Sequence, residues 1–293
     1  MRENSALRHK LIALSCLATL ITAICIFAPN LCPVDPYAQD LSQTMQAPSL
    51  QHIFGTDRYG RDMLSRIIMG SRASVFAALL LVTIIAVLGS GIGLVCGWRG
   101  GKLDTFLMRT SDVFLAFPGL VFALAVIGVL GGGLSNAIIA LGAISWPKYA
   151  RLARALTLAQ KHAPYIAASR LVGGNDKQII YHHILPNISG PLLVTAVLDI
   201  GTMMMELAGL SFLGLGAQPP LAEWGSMMSE GRSMLQTSPW VVLAPGMAIF
   251  VTVLTFNLLG DTIRDYLDPK ERYKIQLNKG AHITCKRKRF WQV

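Results

Sequence analysis

The chain has 293 residues, of which 53% are hydrophobic and only 14% are charged. Soluble domains usually carry about 25% charged residues, so this composition argues against a soluble protein and predicts several membrane-spanning helices. The net charge of +10 would also suit nucleic-acid binding. However, the basic residues cluster between apolar segments, which makes membrane topology the better explanation, and we expect no nucleic-acid partner.

The sequence predicts neither catalysis nor a bound cofactor. It has no GxxxxGK[ST] phosphate loop and no common hydrolase or kinase motif, so we expect that this chain does not bind or hydrolyse ATP. Its five cysteines are scattered singly, without metal-ligand spacing, so we predict no disulfide framework and no metal site.

The first membrane-spanning helix is predicted at residues 11–29, after a basic N-terminal segment at residues 1–10. A helix of this length covers about 28 Å, enough to cross a hydrocarbon core. A cleaved signal peptide is the alternative, but the run has no convincing small-x-small cleavage site and more apolar segments follow. Residues 30–72 are predicted to form a polar, proline-containing loop.

Five further helices are predicted within residues 73–269. Their expected positions are 73–98, about 113–130, from 134 to beyond Lys148, 189–216, and 241 to about 260. Gly89, Gly93 and Gly97 give the second helix a face against which another backbone can pack closely. Pro118 should kink the third. Residues 131–133 form a turn short enough to place the fourth beside the third, and basic side chains late in the fourth are expected to reach lipid headgroups.

A polar stretch at residues 151–187 interrupts the apolar segments and must lie in water. We expect a helix, a break at Gly173, and a second short helix capped by Asp176. Ile184 belongs to an apolar stripe, and Pro186 is expected to end that helix. Gly173 is predicted to need a backbone conformation closed to residues with a side chain.

This stretch resembles the coupling loop of ABC importer permeases. The resemblance rests on a run that includes Ala167, Ala168, Ser169 and Gly173, followed by Ile184-Leu185-Pro186-Asn187. Ala167 departs from the family, which usually has Glu there. The resemblance implies that the residues at these positions dock on an ATPase subunit: Ala167, Ala168, Ser169, Gly173, Asp176, Ile184 and Pro186.

A second string, GTDRYGRDMLSR at residues 55–66, resembles one subgroup, the peptide and nickel importer permeases. Its charged residues either pair locally to fold the loop or contact a partner directly. Segments near residues 115–118, 210–225 and 257–269 resemble the same subgroup. The resemblance therefore implies an all-α integral membrane protein with six transmembrane helices and the type I ABC importer permease architecture.

The resemblance also implies partners and a substrate class. The partners are a second homologous permease, two ATP-binding subunits that hold the ATP, an extracytoplasmic solute-binding protein and the lipid bilayer. Residues 198–212 resemble nickel-type members, so we expect transport of nickel or a chelated transition metal, with di- or oligopeptides as the alternative. An intramembrane enzyme is a weaker alternative, because Asp199 and Glu206 lie about 10 Å apart along a helix, too far to share a proton.

The basic loops predict the orientation in the membrane. They share one side with the termini, which the positive-inside rule makes cytosolic. The basic tail, residues 270–293, and the 151–187 stretch then lie in the cytosol, and we expect a multi-pass protein of the bacterial inner membrane. The loop at residues 30–72 is an exception, because it is external yet contains several arginines.

Two further sets of residues are candidate contacts. Asp199, Met203 and Glu206 share one face of the fifth helix, and we predict that this negative stripe lines the translocation path for a cation or a peptide amino end. The alternative is that the two carboxylates bond to the partner permease. Glu223 and Trp224 are the candidate contact for the solute-binding protein, and an interface anchor is the alternative for Trp224.

Overall fold

The computed structural model describes residues 2–267, and regular structure within that range is helical. The tail at residues 270–293 lies outside the described residues. The helices are α1 (Arg2–Leu31), α2 (Met63–Arg99), α3 (Gly101–Leu115), α4 (Gly119–Leu130), α5 (Leu134–Lys161), α6 (Pro164–Leu171), α7 (Asp176–Ile179), α8 (Leu185–Phe212), α9 (Trp224–Gly231) and α10 (Trp240–Leu267). Short 3₁₀ turns lie at Leu41–Gln43 and Arg232–Met234, and a π-helical turn at Ile180–Ile184.

The helix pair with the most extensive packing is α2 with α5. A Cβ added at Gly89 would lie 2.5 Å from the Trp146 carbonyl oxygen, and one at Gly93 would lie 2.1 Å from that of Ala150. Only glycine therefore allows the two backbones to approach this closely. The predicted small-residue face is confirmed, and its partner is α5. Around this pair, α8 packs on α2 and α10, α1 packs on α2 and α10, and α4 packs on α5.

The described helices provide four or five candidate spans, compared with the six predicted. By length and composition, four described helical segments could cross a membrane: Ala6–Leu31, Met63–Arg99, Asp176–Phe212 and Trp240–Leu267. The bent pair α3 and α4 would be a fifth. The helix α5 is not one of them, although it runs for 28 residues from Leu134 to Lys161, well past Lys148 as predicted.

The second span begins at Met63, ten residues before the predicted start at residue 73. Asp62 caps it, because its Oδ2 accepts a hydrogen bond of 2.7 Å from the Ser65 backbone N–H. The prediction failed because Arg66 and Arg72 made the segment look polar. Arg66 is in fact buried, with its Nε 3.7 Å from Asp57 Oδ2, so its charge is accommodated inside the protein.

The third span is broken rather than kinked. Helix α3 ends at Leu115, α4 begins at Gly119, and their axes differ by 90°. Pro118 lies at the break and precedes the first residue of α4, a position where its missing N–H costs nothing. The predicted span at about 113–130 is therefore a 12-residue helix, α4, preceded by a separate helix at a right angle.

The connections between helices lie at two ends of the bundle. At one end, the Trp240 indole N–H donates to the Thr56 carbonyl, and the Gly133 N–H donates to the Leu215 carbonyl. These contacts join the loop at residues 32–62, the 131–133 turn and the α8–α10 connection. At the other end, the Lys161 ammonium donates to the Trp98 carbonyl, where α5 and α2 finish.

Candidate functional site

The segment between α5 and α8, residues 162–184, is held to the bundle by a small apolar cluster. Ile166, Ile179, Ile184 and Ile188 are buried together against Trp98. The Arg170 guanidinium lies 5.2 Å from the Trp98 ring centroid, a cation–π distance. We call this part of the chain the polar segment. Its first predicted residues, 151–161, belong instead to the end of α5.

The break in the polar segment is at Gly173, as predicted. Gly173 has φ of +89°, a conformation that L side chains rarely adopt, so the prediction that it needs such a conformation is confirmed. The predicted cap is wrong by one residue. Asn175 caps α7 by accepting from the Gln178 N–H at 2.8 Å, whereas Asp176 is the first residue of the helix.

The sequence predicted that Pro186 ends a helix, and this prediction is wrong. The chain continues from α7 through the π-helical turn into α8, and Pro186 lies in the first turn of α8. The turn accommodates it because the Leu185 N–H bonds to the Ile180 carbonyl, five residues back. The polar segment is therefore joined to α8 by continuous helix.

The outer surface of the polar segment is apolar at its tip. Ala167 and Ala168 are exposed and Ser169 is half-buried, whereas Leu171 and Val172 are 89% and 90% exposed. Two aliphatic side chains at a glycine turn, with nothing covering them in the described chain, offer an apolar contact for another protein. Neither side chain was predicted from the sequence as a contact. Their position directly before Gly173 was the available signal.

Asp199, predicted on the translocation path, is buried at 3% exposure. Its Oδ1 accepts a hydrogen bond of 2.5 Å from the Lys148 Nζ on α5. Its Oδ2 makes no hydrogen bond within residues 2–267, although the buried Tyr149 hydroxyl is close enough to interact with the carboxylate. The predicted stripe is therefore less negative than the sequence implied, because Lys148 pairs with one of its two carboxylates, and its role in translocation stays a prediction.

Lys148 was predicted to reach lipid headgroups, together with Arg151 and Arg154. Instead, all three pair with carboxylates. The Arg154 guanidinium makes two hydrogen bonds, of 2.5 and 2.7 Å, to the Asp104 carboxylate, and Arg151 pairs with Asp112. The available signal in the sequence was the presence of acidic residues in α3 and α8 that could pair with these cations.

Glu206 and Met203 differ in environment although they share a helix face. Met203 is buried, whereas Glu206 is partly exposed and lines an open cavity of about 510 Å³. The rest of the lining is neutral and comes from α4, α8 and α10: Leu120, Gly201, Thr202, Met205, Gly209, Val253 and Asn257. We call this space the α8 cavity.

The GTDRYGRDMLSR string folds the loop at residues 32–62 through internal ion pairs. Arg61 is 2% exposed, with its Nε 2.5 Å from Asp57 Oδ2 and its Nη2 2.8 Å from Glu230 Oε2 on α9. The His52 Nδ1 lies 3.0 Å from Asp62 Oδ1. Of the two interpretations, local pairing therefore describes these residues. Elsewhere in the loop, hydrogen bonds from Ser42 lower the pKa of the Asp40 carboxyl.

Glu223 and Trp224 are placed inside the protein. Glu223 is 2% exposed, caps α9 through the Gly225 and Ser226 N–H groups, and accepts a hydrogen bond from the Ser74 hydroxyl. Trp224 is 4% exposed and its indole N–H donates to the Ile67 carbonyl at 2.9 Å. Because their polar groups are used within the chain, neither side chain offers a surface for a solute-binding protein. Both hold α9 against α2.

The exposed charges at this end belong to other residues. Arg58 and Arg232 are exposed and line an open polar cavity of about 400 Å³ with Gln218, Ser229, Glu230 and Ser233. Arg58 lies 4.7 Å from the Tyr59 ring centroid. The Arg58 side chain is the one member of the string's charged set that is exposed.

Residues 89–273 match the family described as binding-protein-dependent transport system inner membrane component. The chain is 42% identical to the dipeptide transport system permease protein DppC of Alkalihalophilus pseudofirmus over 86% of this chain and 83% of that protein. It is 42% identical to the glutathione transport system permease protein GsiD of Pectobacterium atrosepticum, over 90% and 88%. The identity to DppC of Haemophilus influenzae is 40%, over 86% and 87%.

Two solved structures share the fold. An inward-facing structure of the MetNI methionine ABC transporter matches with a TM-score of 0.58 and 20% identity, covering 70% of this chain and 98% of that one. An amino acid ABC transporter matches with a TM-score of 0.52 and 18% identity, covering 70% and 95%. At these identities, the likeness concerns the fold alone.

Proposed function

The chain belongs to the family of binding-protein-dependent transport system inner membrane components and is a permease subunit of an ABC importer, and we propose that its substrate is a short peptide. The observation that carries the importer mechanism is the polar segment, which is anchored by buried isoleucines and ends in two exposed aliphatic side chains.

The polar segment is the proposed docking site for an ATPase subunit. Leu171 and Val172 would insert into an apolar groove of that subunit, a helix-in-groove mode of recognition. Gly173 and the Asn175 cap fix the angle between α6 and α7, while Ala167, Ala168 and Ser169 keep the neighbouring surface small. Because α7 runs on into α8, a displacement of the docked segment would be transmitted directly to the helix that lines the α8 cavity.

Two observations favour a peptide over nickel, which the sequence analysis preferred. The relatives at 40–43% identity are named dipeptide and glutathione permeases. In addition, the Lys148 ammonium pairs with Asp199. The proposed translocation path therefore carries one positive group, Lys148, and two negative groups, Asp199 and Glu206, rather than a purely negative stripe. Such a mixed surface suits a substrate with charges of both signs better than a bare cation.

The proposed orientation places the polar segment and the N-terminus in the cytosol. The end of the bundle that holds residues 32–62 and α9 then faces outward. The arginines of the predicted 30–72 loop are less of an exception than the sequence suggested, because Arg61 and Arg66 are buried beside Asp57. The chain would lie in the bacterial inner membrane with a second permease, two ATP-binding subunits and an external solute-binding protein.

For the solute-binding protein, we propose a surface built on Arg58 and Arg232 in place of Glu223 and Trp224. Both arginines are exposed, flank the polar cavity, and come from two elements that the Arg61–Glu230 ion pair holds together. Acidic side chains on the binding protein would complement them and steer its approach, an effect that added salt weakens.

The substrate is tested with proteoliposomes that contain this chain, its partner permease and the ATPase subunits, supplied with the solute-binding protein. Accumulation of radiolabelled trialanine and of nickel is measured with and without ATP. We expect ATP-dependent accumulation of trialanine and none of nickel. ATP-dependent nickel accumulation without peptide uptake would contradict the peptide assignment.

A further inference from the structure

Lys148 is paired with Asp199 and still open to a ligand. Its Nζ lies 2.5 Å from Asp199 Oδ1, yet its side chain is 54% exposed, whereas that of Asp199 is 4% exposed. An ammonium group has three hydrogen-bond donors, and one suffices for Asp199. Lys148 makes no other hydrogen bond within residues 2–267. The other donors can therefore bond to a molecule on the exposed side.

Glu206 differs from Asp199, because its carboxylate is partly exposed and has no ion-pair partner within the described residues. It lies seven positions after Asp199 on α8, close to two full helical turns, so both project from nearly the same side. Glu206 interacts electrostatically with Asp199 and Lys148 but makes no hydrogen bond or close ion pair within the described residues. An uncompensated carboxylate on a membrane-spanning helix is expensive, and such residues usually mark a transport pathway.

We propose that Lys148 and Glu206 contact the two charged ends of a zwitterionic peptide, with Lys148 binding the carboxylate and Glu206 the ammonium group. The inference rests on the proposed peptide substrate and names the residues that recognise it. The Lys148 ammonium lies beside Asp199, and the seven residues of helix from Asp199 to Glu206 rise by about 10 Å. An extended peptide spans about 3.3–3.6 Å per residue. The separation therefore suits peptides of two or three residues.

In this arrangement Asp199 is a positioning residue. It is buried behind Lys148 and fixes the ammonium group at the surface of the bundle. The contact with Asp199 also moderates the attraction of Lys148 for the peptide carboxylate, because the lysine charge is already partly compensated. A transport path needs such weak sites, since a tight one would not release its substrate.

The lining of the α8 cavity explains why the side chains of a peptide would contribute less to recognition than its two termini. Apart from Glu206, the cavity has no charged lining residue, and Gly201 and Gly209 leave its wall open. Thr202 and Asn257 are its neutral polar members. A space of about 510 Å³ with a neutral lining accepts side chains of different shape, so recognition would fall on the termini.

The test uses the same proteoliposomes with three probes: trialanine, trialanine amide and N-acetyl-trialanine. Each is supplied at a concentration that saturates the solute-binding protein, and each variant is compared with wild type for the same probe. The variant Lys148→Gln/Asp199→Asn removes both charges, so no buried carboxylate is left unpaired. Glu206→Gln keeps the shape of the side chain, and Thr202→Val is a control that alters the cavity without changing charge.

We expect the Lys148→Gln/Asp199→Asn variant to lose about tenfold in uptake of trialanine and N-acetyl-trialanine while retaining its uptake of the amide. Glu206→Gln should lose a similar factor for trialanine and the amide but not for the N-acetyl peptide. Thr202→Val should affect all three alike. Unchanged uptake, or an equal loss for all three probes in the charge variants, would overturn the proposal. Failure of the wild type to accumulate any probe would instead contradict the peptide substrate itself.

Discussion

Gly60 lies at the tightest point of the loop at residues 32–62. Its φ is +70°, and a Cβ built there would lie 1.8 Å from the Asp40 carbonyl oxygen. The Asp40 N–H in turn donates to the Tyr59 carbonyl. Two segments of the loop, around Asp40 and Gly60, therefore touch at this residue. Both the backbone angle and the space available require glycine.

Gly60→Ala is expected to destabilise the protein by about 1–3 kcal/mol, because alanine meets both an unfavourable φ and a backbone clash. The measurement is the thermal unfolding midpoint of the purified chain in detergent. Gly100→Ala is the matched control. Gly100 has a φ of +66° but no atom within 4 Å of the added Cβ, so only the backbone strain applies. Equal shifts for the two variants would show that the contact with Asp40 is unimportant.

Residue roles were predictable where they depend on the neighbouring sequence. The break at Gly173 was predictable because it depends only on the backbone preference of glycine. The cap was placed at Asp176 instead of Asn175 because both residue types are good caps. The partner of Asp199 was not predicted, since Lys148 is 51 positions away and only the packing of α5 on α8 brings them together. Burial of Glu223 and Trp224 depends on the same kind of long-range contact.

The loop at residues 32–62 and helix α9 form one unit through a buried cation. Arg61 bridges Asp57 in the loop and Glu230 on α9, and the Arg66 Nε lies 3.7 Å from the same Asp57 oxygen. These groups are shielded from water, so the arrangement depends on each charge having its partner. This unit supports the proposed docking surface of Arg58 and Arg232.

Arg61→Leu is expected to cost about 3–5 kcal/mol of stability, because it leaves Asp57 and Glu230 without their shared cation. The thermal unfolding midpoint should fall well below that of wild type. Arg58→Leu, three positions away and exposed, removes the same charge from the surface and should change the midpoint little. A similar loss from both variants would mean that net charge, and not the buried bridge, is responsible.

Elements were predicted well where glycine, proline or a long apolar run defines them. The glycine face of α2, the position of an interruption at Pro118 (although as a break and not the predicted kink) and the extension of α5 beyond Lys148 follow from backbone sterics and helix length. The start of α2 was missed because buried, paired arginines look like loop residues in hydropathy. Pro186 was misjudged because the π-helical turn before it lets the chain continue as a helix, although proline has no N–H to donate.

At the scale of the whole molecule, the proposed sites follow one another along α8. The cavity beside Arg58 and Arg232 is at one end, the α8 cavity lies along the bundle, and the polar segment is at the other end, continuous with α8. The family was predictable because its coupling loop and the GTDRYGRDMLSR string are local patterns. The substrate was not, since the charge of the proposed path depends on the Lys148–Asp199 pairing between α5 and α8, which are far apart in the sequence.

The central claim is that the polar segment couples this chain to an ATPase, and Leu171→Ser/Val172→Ser tests it most directly. Burying an aliphatic side chain contributes about 1.5–3 kcal/mol, so loss of both should weaken docking strongly. The measurement is the amount of ATPase subunit that copurifies with the permease pair. The control, Leu50→Ser, removes a fully exposed side chain from the loop at residues 32–62. We predict that the double variant loses the ATPase subunits while inserting normally, and that the control keeps them. Wild-type recovery of the ATPase subunits with the double variant would contradict the account.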